Sequence, residues 1–294
     1  MKYGLMLPYS TPTDRKGLLG WATAADAAGF STVTTGERMT YGNMEQIVAL
    51  SAAAAVTSKV RILANILIVP MHAPGILAKR LASLDVLSEG RFVMAAGVGD
   101  REQDYRAGGA TMERRWPRAD ETILTMKRLW KGEPLVPGDD PIGPSPYTPG
   151  GPELWIGSRG PKALARAARW GATGFAGFTL NGEPGDLKAQ VDAVNEAWAA
   201  NGRTDRPYLF VSCFYALGDD AVGRMAGLAS RYWAGWADNE MRDQMIAELS
   251  VTNPDSIHRL IENVEAAGYD ELNFLPITDD LADFDRLQAV LGTR

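Results

Sequence analysis

Apolar residues in this chain fall into short runs, separated by longer stretches where they recur every three or four positions. The short runs read as strands at 3–7, 31–35, 60–69, 91–98, 153–156, 173–178, 208–215 and 271–275. They are rich in β-branched and aromatic residues and nearly continuous in hydrophobicity, as strands buried on both faces must be. The intervening stretches predict helices at 18–28, 43–57, 74–87, 118–130, 161–170, 186–200, 219–248 (one helix or two), 253–267 and 279–290. Gly29, Gly90 and Gly268 stand where helices should stop, and Thr252 or Asn253 where one should start.

Strands that alternate with helices imply a parallel sheet. An open doubly wound sheet usually carries a Gly-rich dinucleotide loop after its first strand. Here that strand leads into Pro8-Tyr9-Ser10-Thr11-Pro12, which cannot cradle a pyrophosphate. The pattern therefore predicts a closed (β/α)8 TIM barrel with insertions. All 294 residues form one domain, close to the roughly 250 typical of that fold. Two stretches interrupt the rhythm: 99–117, polar and Gly-rich, and 132–152, crowded with Pro and Gly. Both are candidate lids over the barrel mouth.

Composition narrows the function. The net charge is −6, with no Lys/Arg cluster, which argues against nucleic acid as a partner. The longest apolar run, 62–71, is too short to cross a bilayer. The start of the chain lacks the apolar stretch of a secretory signal, so a cytoplasmic protein is expected. The single cysteine, Cys213, lies in an apolar segment and reads as a structural thiol. Two histidines, His72 and His258, far apart in sequence, do not make a metal-ligand set with it.

In such barrels the chemistry sits at the C-terminal ends of the strands. Gly157-Ser158-Arg159-Gly160-Pro161 follows a strand and opens a helix, where free N–H groups and the helix dipole favour a phosphate. Gly97-Val98-Gly99-Asp100-Arg101 would let backbone approach a ligand closely and adds a guanidinium. Glu37 and Arg38 follow the second strand and read as a substrate or cofactor clamp. His72 lies just past the third strand. Tyr232, Trp233 and Trp236 fall in the 219–248 insertion, where they would close an apolar pocket or pack it on the barrel.

Several segments resemble the luciferase-like family of flavin- and deazaflavin-dependent oxidoreductases. They include Ala24-Ala25-Asp26-Ala27-Ala28-Gly29-Phe30, Arg61 through Pro70, Ala82-Ser83-Leu84-Asp85 through Phe92, Gly97-Val98-Gly99 with Asp104-Tyr105, and Leu154-Trp155-Ile156-Gly157-Ser158. The resemblance implies a barrel enzyme, usually a homodimer, that acts on a small molecule. It implies a phosphate at Ser158, Arg159 and Gly160, with Gly97, Val98, Gly99, Arg101 and Gly157 nearby. It also implies a bulge in the third strand, with a non-prolyl cis peptide near Ile66-Leu67 or one residue earlier, which would put Ile66 and Leu67 against the cofactor ring.

Many members carry an acidic residue and then histidine after the second strand. Here the pair is Glu37-Arg38, and arginine cannot shuttle a proton at neutral pH. The mixed basic residues Arg101, Arg159 and Lys162 suit the longer anionic tail of coenzyme F-420. Hydride transfer with that deazaflavin is the expectation, with an FMN- and O2-dependent monooxygenase or a non-catalytic flavin-binding protein as alternatives.

Overall fold

The structure is a computed structural model and describes residues 1–9, 11–233 and 239–292. Eight parallel strands form one closed barrel in sequence order. They are β1 (Lys2–Met6), β2 (Thr32–Thr35), β3 (Arg61–Ile68), β4 (Phe92–Gly97), β5 (Glu153–Ile156), β6 (Gly174–Phe178), β7 (Tyr208–Tyr215) and β8 (Glu271–Pro276). β1 pairs with both β2 and β8, which closes the ring. Each strand lies within about two residues of its sequence expectation.

The helices form the outer layer: α1 (Arg15–Ala27), α2 (Gln46–Val56), α3 (Pro74–Leu87), α4 (Glu102–Ala107), α5 (Arg115–Leu129), α6 (Pro161–Trp170), α7 (Pro184–Ala200), α8 (Ala221–Tyr232), α9 (Asn239–Glu248), α10 (Pro254–Ala266) and α11 (Leu281–Gly292). The main core lies between this layer and the barrel, where Trp21, Leu50, Leu81, Phe175, Leu187 and Leu272 are fully or almost fully buried. The 219–248 stretch resolves into two helices, α8 and α9. Trp236, proposed from sequence as a pocket residue, falls outside the described residues.

The barrel interior has a base and a mouth with different chemistry. At the base, the Arg61 guanidinium lies 5.1 Å from the Trp155 ring centre and 4.9 Å from that of Tyr208. It also reaches Glu271, whose fully buried carboxylate accepts hydrogen bonds from Ser31 Oγ and from the Tyr208 hydroxyl at 2.7 Å. Above this, Ser212 Oγ accepts from Asn65 Nδ2 at 3.0 Å and from Asn273 Nδ2 at 3.1 Å. Gly4 makes room for these side chains, because a Cβ there would lie 2.9 Å from Glu271 Oε1 and 3.0 Å from Asn273 Oδ1.

β3 carries a bulge. Its register against β4 shifts between Asn65 and Leu67, leaving Ile66 as the extra residue. The Asn65–Ile66 peptide is cis, one residue before Ile66-Leu67. The bulge reverses the inward and outward alternation beyond it. Leu67 therefore packs in the outer core, fully buried. Its side chain is therefore turned away from the mouth, which corrects the expectation that Leu67 lies against a cofactor there.

The 132–152 stretch is not a lid. It runs along α3: Lys79 Nζ donates to the Gly143 carbonyl at 2.8 Å, and Asp85 accepts from the Thr148 N–H at 2.7 Å and its hydroxyl at 3.1 Å. Cys213 is fully buried, and that burial raises its thiol pKa. No helix among the described residues is long and apolar enough to cross a membrane.

Candidate functional site at the barrel mouth

A cavity of about 310 Å³ opens at the C-terminal ends of the strands. The sequence-derived candidates that line it include Glu37, Arg38, Ile66, Gly99, Arg101, Arg159, Tyr232 and Trp233. The remaining candidates sit around it in distinct ways.

Gly97 and Gly157 lie beneath Ile66. A Cβ at Gly97 would come within 2.2 Å of Ile66 Cδ1, and one at Gly157 within 2.1 Å of Ile66 Cγ2. The two glycines are thus sites of close approach, as expected, but the group that approaches is the bulge side chain. Val98 packs in the outer core, and its carbonyl accepts a hydrogen bond from the buried Tyr105 hydroxyl. Tyr105 ionises only at about pH 12, because burial disfavours its charged form.

Ser158 and Gly160 belong to the turn that opens α6. No side chain caps this helix, Pro161 stands in its first turn, and the space beside Gly160 is open. Its unpaired N–H groups and positive dipole end are available to an anion. Arg159 and Lys162 are exposed there, and Arg159 reaches Asp186 at 3.3 Å. Across the mouth, the Arg101 side chain is 9% exposed. Its Nη1 stands 3.8 Å from Asp104 Oδ2, too far for a hydrogen bond, and no other group satisfies it.

Glu37 is committed on both oxygens. Oε2 accepts the Ile68 N–H at 2.6 Å and Oε1 pairs with His72 Nε2 at 2.7 Å. The carboxylate therefore ties the loop after β2 to the end of the bulged strand. His72 lines a separate groove of about 870 Å³ between α2 and α3, and meets the mouth only through Glu37. The histidine absent after β2 is thus supplied to the same carboxylate from beyond β3.

Arg38 sits among tyrosines. Its guanidinium carbon is 4.3 Å from the Tyr232 ring centre and 5.4 Å from that of Tyr41. Tyr9 packs on both of these rings, at 6.1 and 6.5 Å. Burial raises the Tyr9 pKa well above 10, and Tyr232 adds to this, so Tyr9 stays a neutral phenol.

Asp104, from the unpredicted helix α4, holds the β2 loop in place. Its Oδ1 accepts from the Met39 N–H at 3.1 Å, the Thr40 N–H at 3.0 Å and the Thr40 hydroxyl at 2.9 Å. The rest of the wall is apolar: Met6, Phe178, Leu180, Phe214, Trp233 and Leu275. Phe178, Trp233 and Leu275 stand in segments marked out by sequence, whereas Met6 and Phe214 were missed. The inward alternation of β1 and β7 would have found them. Asp100 also lines the cavity. His258 is remote, with Nε2 3.2 Å from the Val290 carbonyl. Among the described residues no group of three or more His, Cys, Asp or Glu side chains is placed to hold a metal.

A family model described as luciferase-like monooxygenase matches residues 1–271. A phthiodiolone/phenolphthiodiolone dimycocerosates ketoreductase from Mycobacterium sp. (strain JLS) is 30% identical over 139 residues, covering 44% of this chain and 36% of that protein. The matched stretch spans only about a third to three fifths of such curated relatives.

Among solved structures, monooxygenase RslO1 from Streptomyces bottropensis superposes with a TM-score of 0.80 at 22% identity, covering 100% of this chain and 98% of that one. An F-420-dependent secondary alcohol dehydrogenase bound to an F-420–acetone adduct gives 0.77 at 18%, covering 99% and 98%. The oxygenating constituent of 3,6-diketocamphane monooxygenase from Pseudomonas putida, bound to FMN, gives 0.73 at 17%, covering 99% and 96%. At these identities the superpositions establish the fold.

Proposed function

Because this chain belongs to the luciferase-like monooxygenase family, we propose that it is an oxidoreductase that holds a reduced flavin-type cofactor, coenzyme F-420, in the mouth cavity. The observation that carries this reading is the buried Nη1 of Arg101, which has no hydrogen-bond acceptor, across the mouth from the uncapped start of α6. A buried guanidinium N–H without an acceptor is costly unless a ligand supplies one. Phosphate supplies such acceptors, and Arg101, Arg159 and the Ser158–Gly160 turn are the residues that would hold it. Arg159 and Lys162 continue the positive charge outwards, which suits a tail with more than one anionic group.

When bound, the cofactor supplies a hydride or, as FMN with O2, an oxygenating equivalent. The chain's own residues supply the setting. Ile66, locked over Gly97 and Gly157, gives the β3–β5 side a fixed apolar surface. Phe178, Phe214, Trp233 and Leu275 exclude water from the opposite side. Glu37 acts as a positioning residue, because both its oxygens are engaged. Tyr9 offers a neutral hydroxyl at the substrate side. The FMN-dependent monooxygenase is the second reading, favoured by the similarity in fold to RslO1 and to the FMN-bound oxygenating constituent.

Titrating the protein with F-420 and FMN side by side tests the assignment. Tighter binding of F-420, weakened at least tenfold in Arg101→Met, is the expected result. A clear preference for FMN would replace it with the second reading, and binding of neither would remove both.

A further inference from the structure

Arg38 is a half-buried cation held by little. It has one hydrogen bond among the described residues, from Nη1 to the Tyr232 carbonyl at 3.4 Å. No carboxylate comes within salt-bridge distance of it among the described residues. Asp104, the acid that holds the neighbouring residues, spends Oδ1 on the backbone of Met39 and Thr40 and the Thr40 hydroxyl, and turns Oδ2 toward Arg101. Glu37, next to Arg38 in sequence, is engaged by Ile68 and His72.

A guanidinium has five N–H donors in a planar fork shaped for a carboxylate. Among the described residues Arg38 leaves most of its donors unspent, and it lines the cavity. The Tyr232 and Tyr41 rings flank it and limit the orientations it would lose on binding a ligand. The wall beyond it is apolar and aromatic, formed by Met6, Phe178, Phe214, Trp233 and Leu275.

We propose that Arg38 selects the substrate: a compact apolar or aromatic molecule bearing a carboxylate, with the acid on the guanidinium and the body against the β6–β8 wall. This rests on the mouth being the catalytic site, as proposed above. The same chemistry could come from the cofactor's own phosphate, so the experiment separates the two sources.

The probes are four acids, phenylacetate, 3-phenylpropionate, cinnamate and decanoate, each paired with its neutral amide. Binding to the full-length protein is read from quenching of intrinsic fluorescence and from the shift in melting temperature, with and without saturating FMN or F-420. The expected result is that at least one acid binds tenfold or more tightly than its amide. That preference falls at least tenfold in Arg38→Met and is partly kept in Arg38→Lys, while FMN and F-420 affinities change less than threefold.

If no acid outbinds its amide in the unmodified protein, the proposal is overturned, whatever the variants do. It is equally overturned if Arg38→Met weakens FMN or F-420 and spares the acid preference, since the guanidinium then serves the cofactor. Cofactor binding is measured on the same samples. A protein that prefers acids but binds neither cofactor would sink the oxidoreductase reading and leave the Arg38 site standing.

Discussion

The two ends of the barrel use arginine in opposite ways. At the base, Arg91 donates to Thr57 Oγ1, the Val60 carbonyl, the Ala54 carbonyl and the Thr57 carbonyl, all within 3.1 Å. It satisfies the carbonyls that α2 leaves unpaired at its C-terminus. Arg61, also at the base, lies against the stacked Trp155 and Tyr208 rings and faces Glu271. At the mouth, among the described residues, Arg38 has one hydrogen bond and Arg101 an unsatisfied Nη1. The same side chain has its donors spent at the base and left over at the mouth. A buried donor without an acceptor lowers stability, so the spare donors of Arg38 and Arg101 fit the proposal of a ligand there.

That contrast is open to direct attack. The largest effect should come from Arg91→Met, which strips four hydrogen bonds and strands several carbonyls. Unfolding in urea should show a loss of about 2–4 kcal/mol, with ligand affinity in the surviving folded protein unchanged.

Gly157→Ala should blur the two classes. Its new Cβ collides with Ile66, costing about 1–3 kcal/mol by overpacking and disturbing the mouth as well. Adding Ile66→Ala should recover part of the stability but not the cofactor affinity, measured by melting and titration.

Next comes Asp26, an acid at the base end. Burial works against its charge, but the N–H groups of Val60, Lys59 and Ser58 outweigh it and pull its pKa below the ordinary 3.8. A lowered folded-state pKa stabilises above the unfolded value and ceases to do so as pH falls through the folded one. Asp26→Asn should therefore cost about 1 kcal/mol at pH 7, with the gap to the unmodified protein closing below pH 4.

The smallest change in stability is expected for Arg38→Met, within about 0.5 kcal/mol of the parent by thermal unfolding. A loss above about 2 kcal/mol there would place Arg38 with Arg91 and end the distinction.

The barrel was legible in sequence because each strand is a short apolar run and each helix has its own period and stop signal. The turn proposed to hold an anion stood out in sequence because its residues are contiguous. What escaped depends on contacts between distant segments. Leu67 was set beside the cofactor because the resemblance places the supporting bulge near Ile66-Leu67. The one-residue bulge at Ile66 reverses the alternation beyond it, and sequence alone does not locate a bulge to the residue. The union of Glu37 with His72 spans 35 positions, and the aromatic surround of Arg38 joins Tyr9, Tyr41 and Tyr232 from three separate loops and helices. The six residues of α4 sit in a polar Gly-rich stretch with too few turns to show a period. The 132–152 segment has the composition of a mobile cover, yet Asp85 and Lys79 fasten it to α3.

Cys213 has a practical consequence. The only thiol of the chain is sealed inside the barrel wall and held protonated by its surroundings. Alkylating reagents at neutral pH should therefore find nothing to modify in the folded protein. A cysteine introduced at Met245, on α9 where it borders the mouth, would then be the sole point of attachment for a fluorophore or spin label. No background substitution is needed first, so the approach of α9 to a bound ligand becomes a measurable distance in an otherwise native molecule.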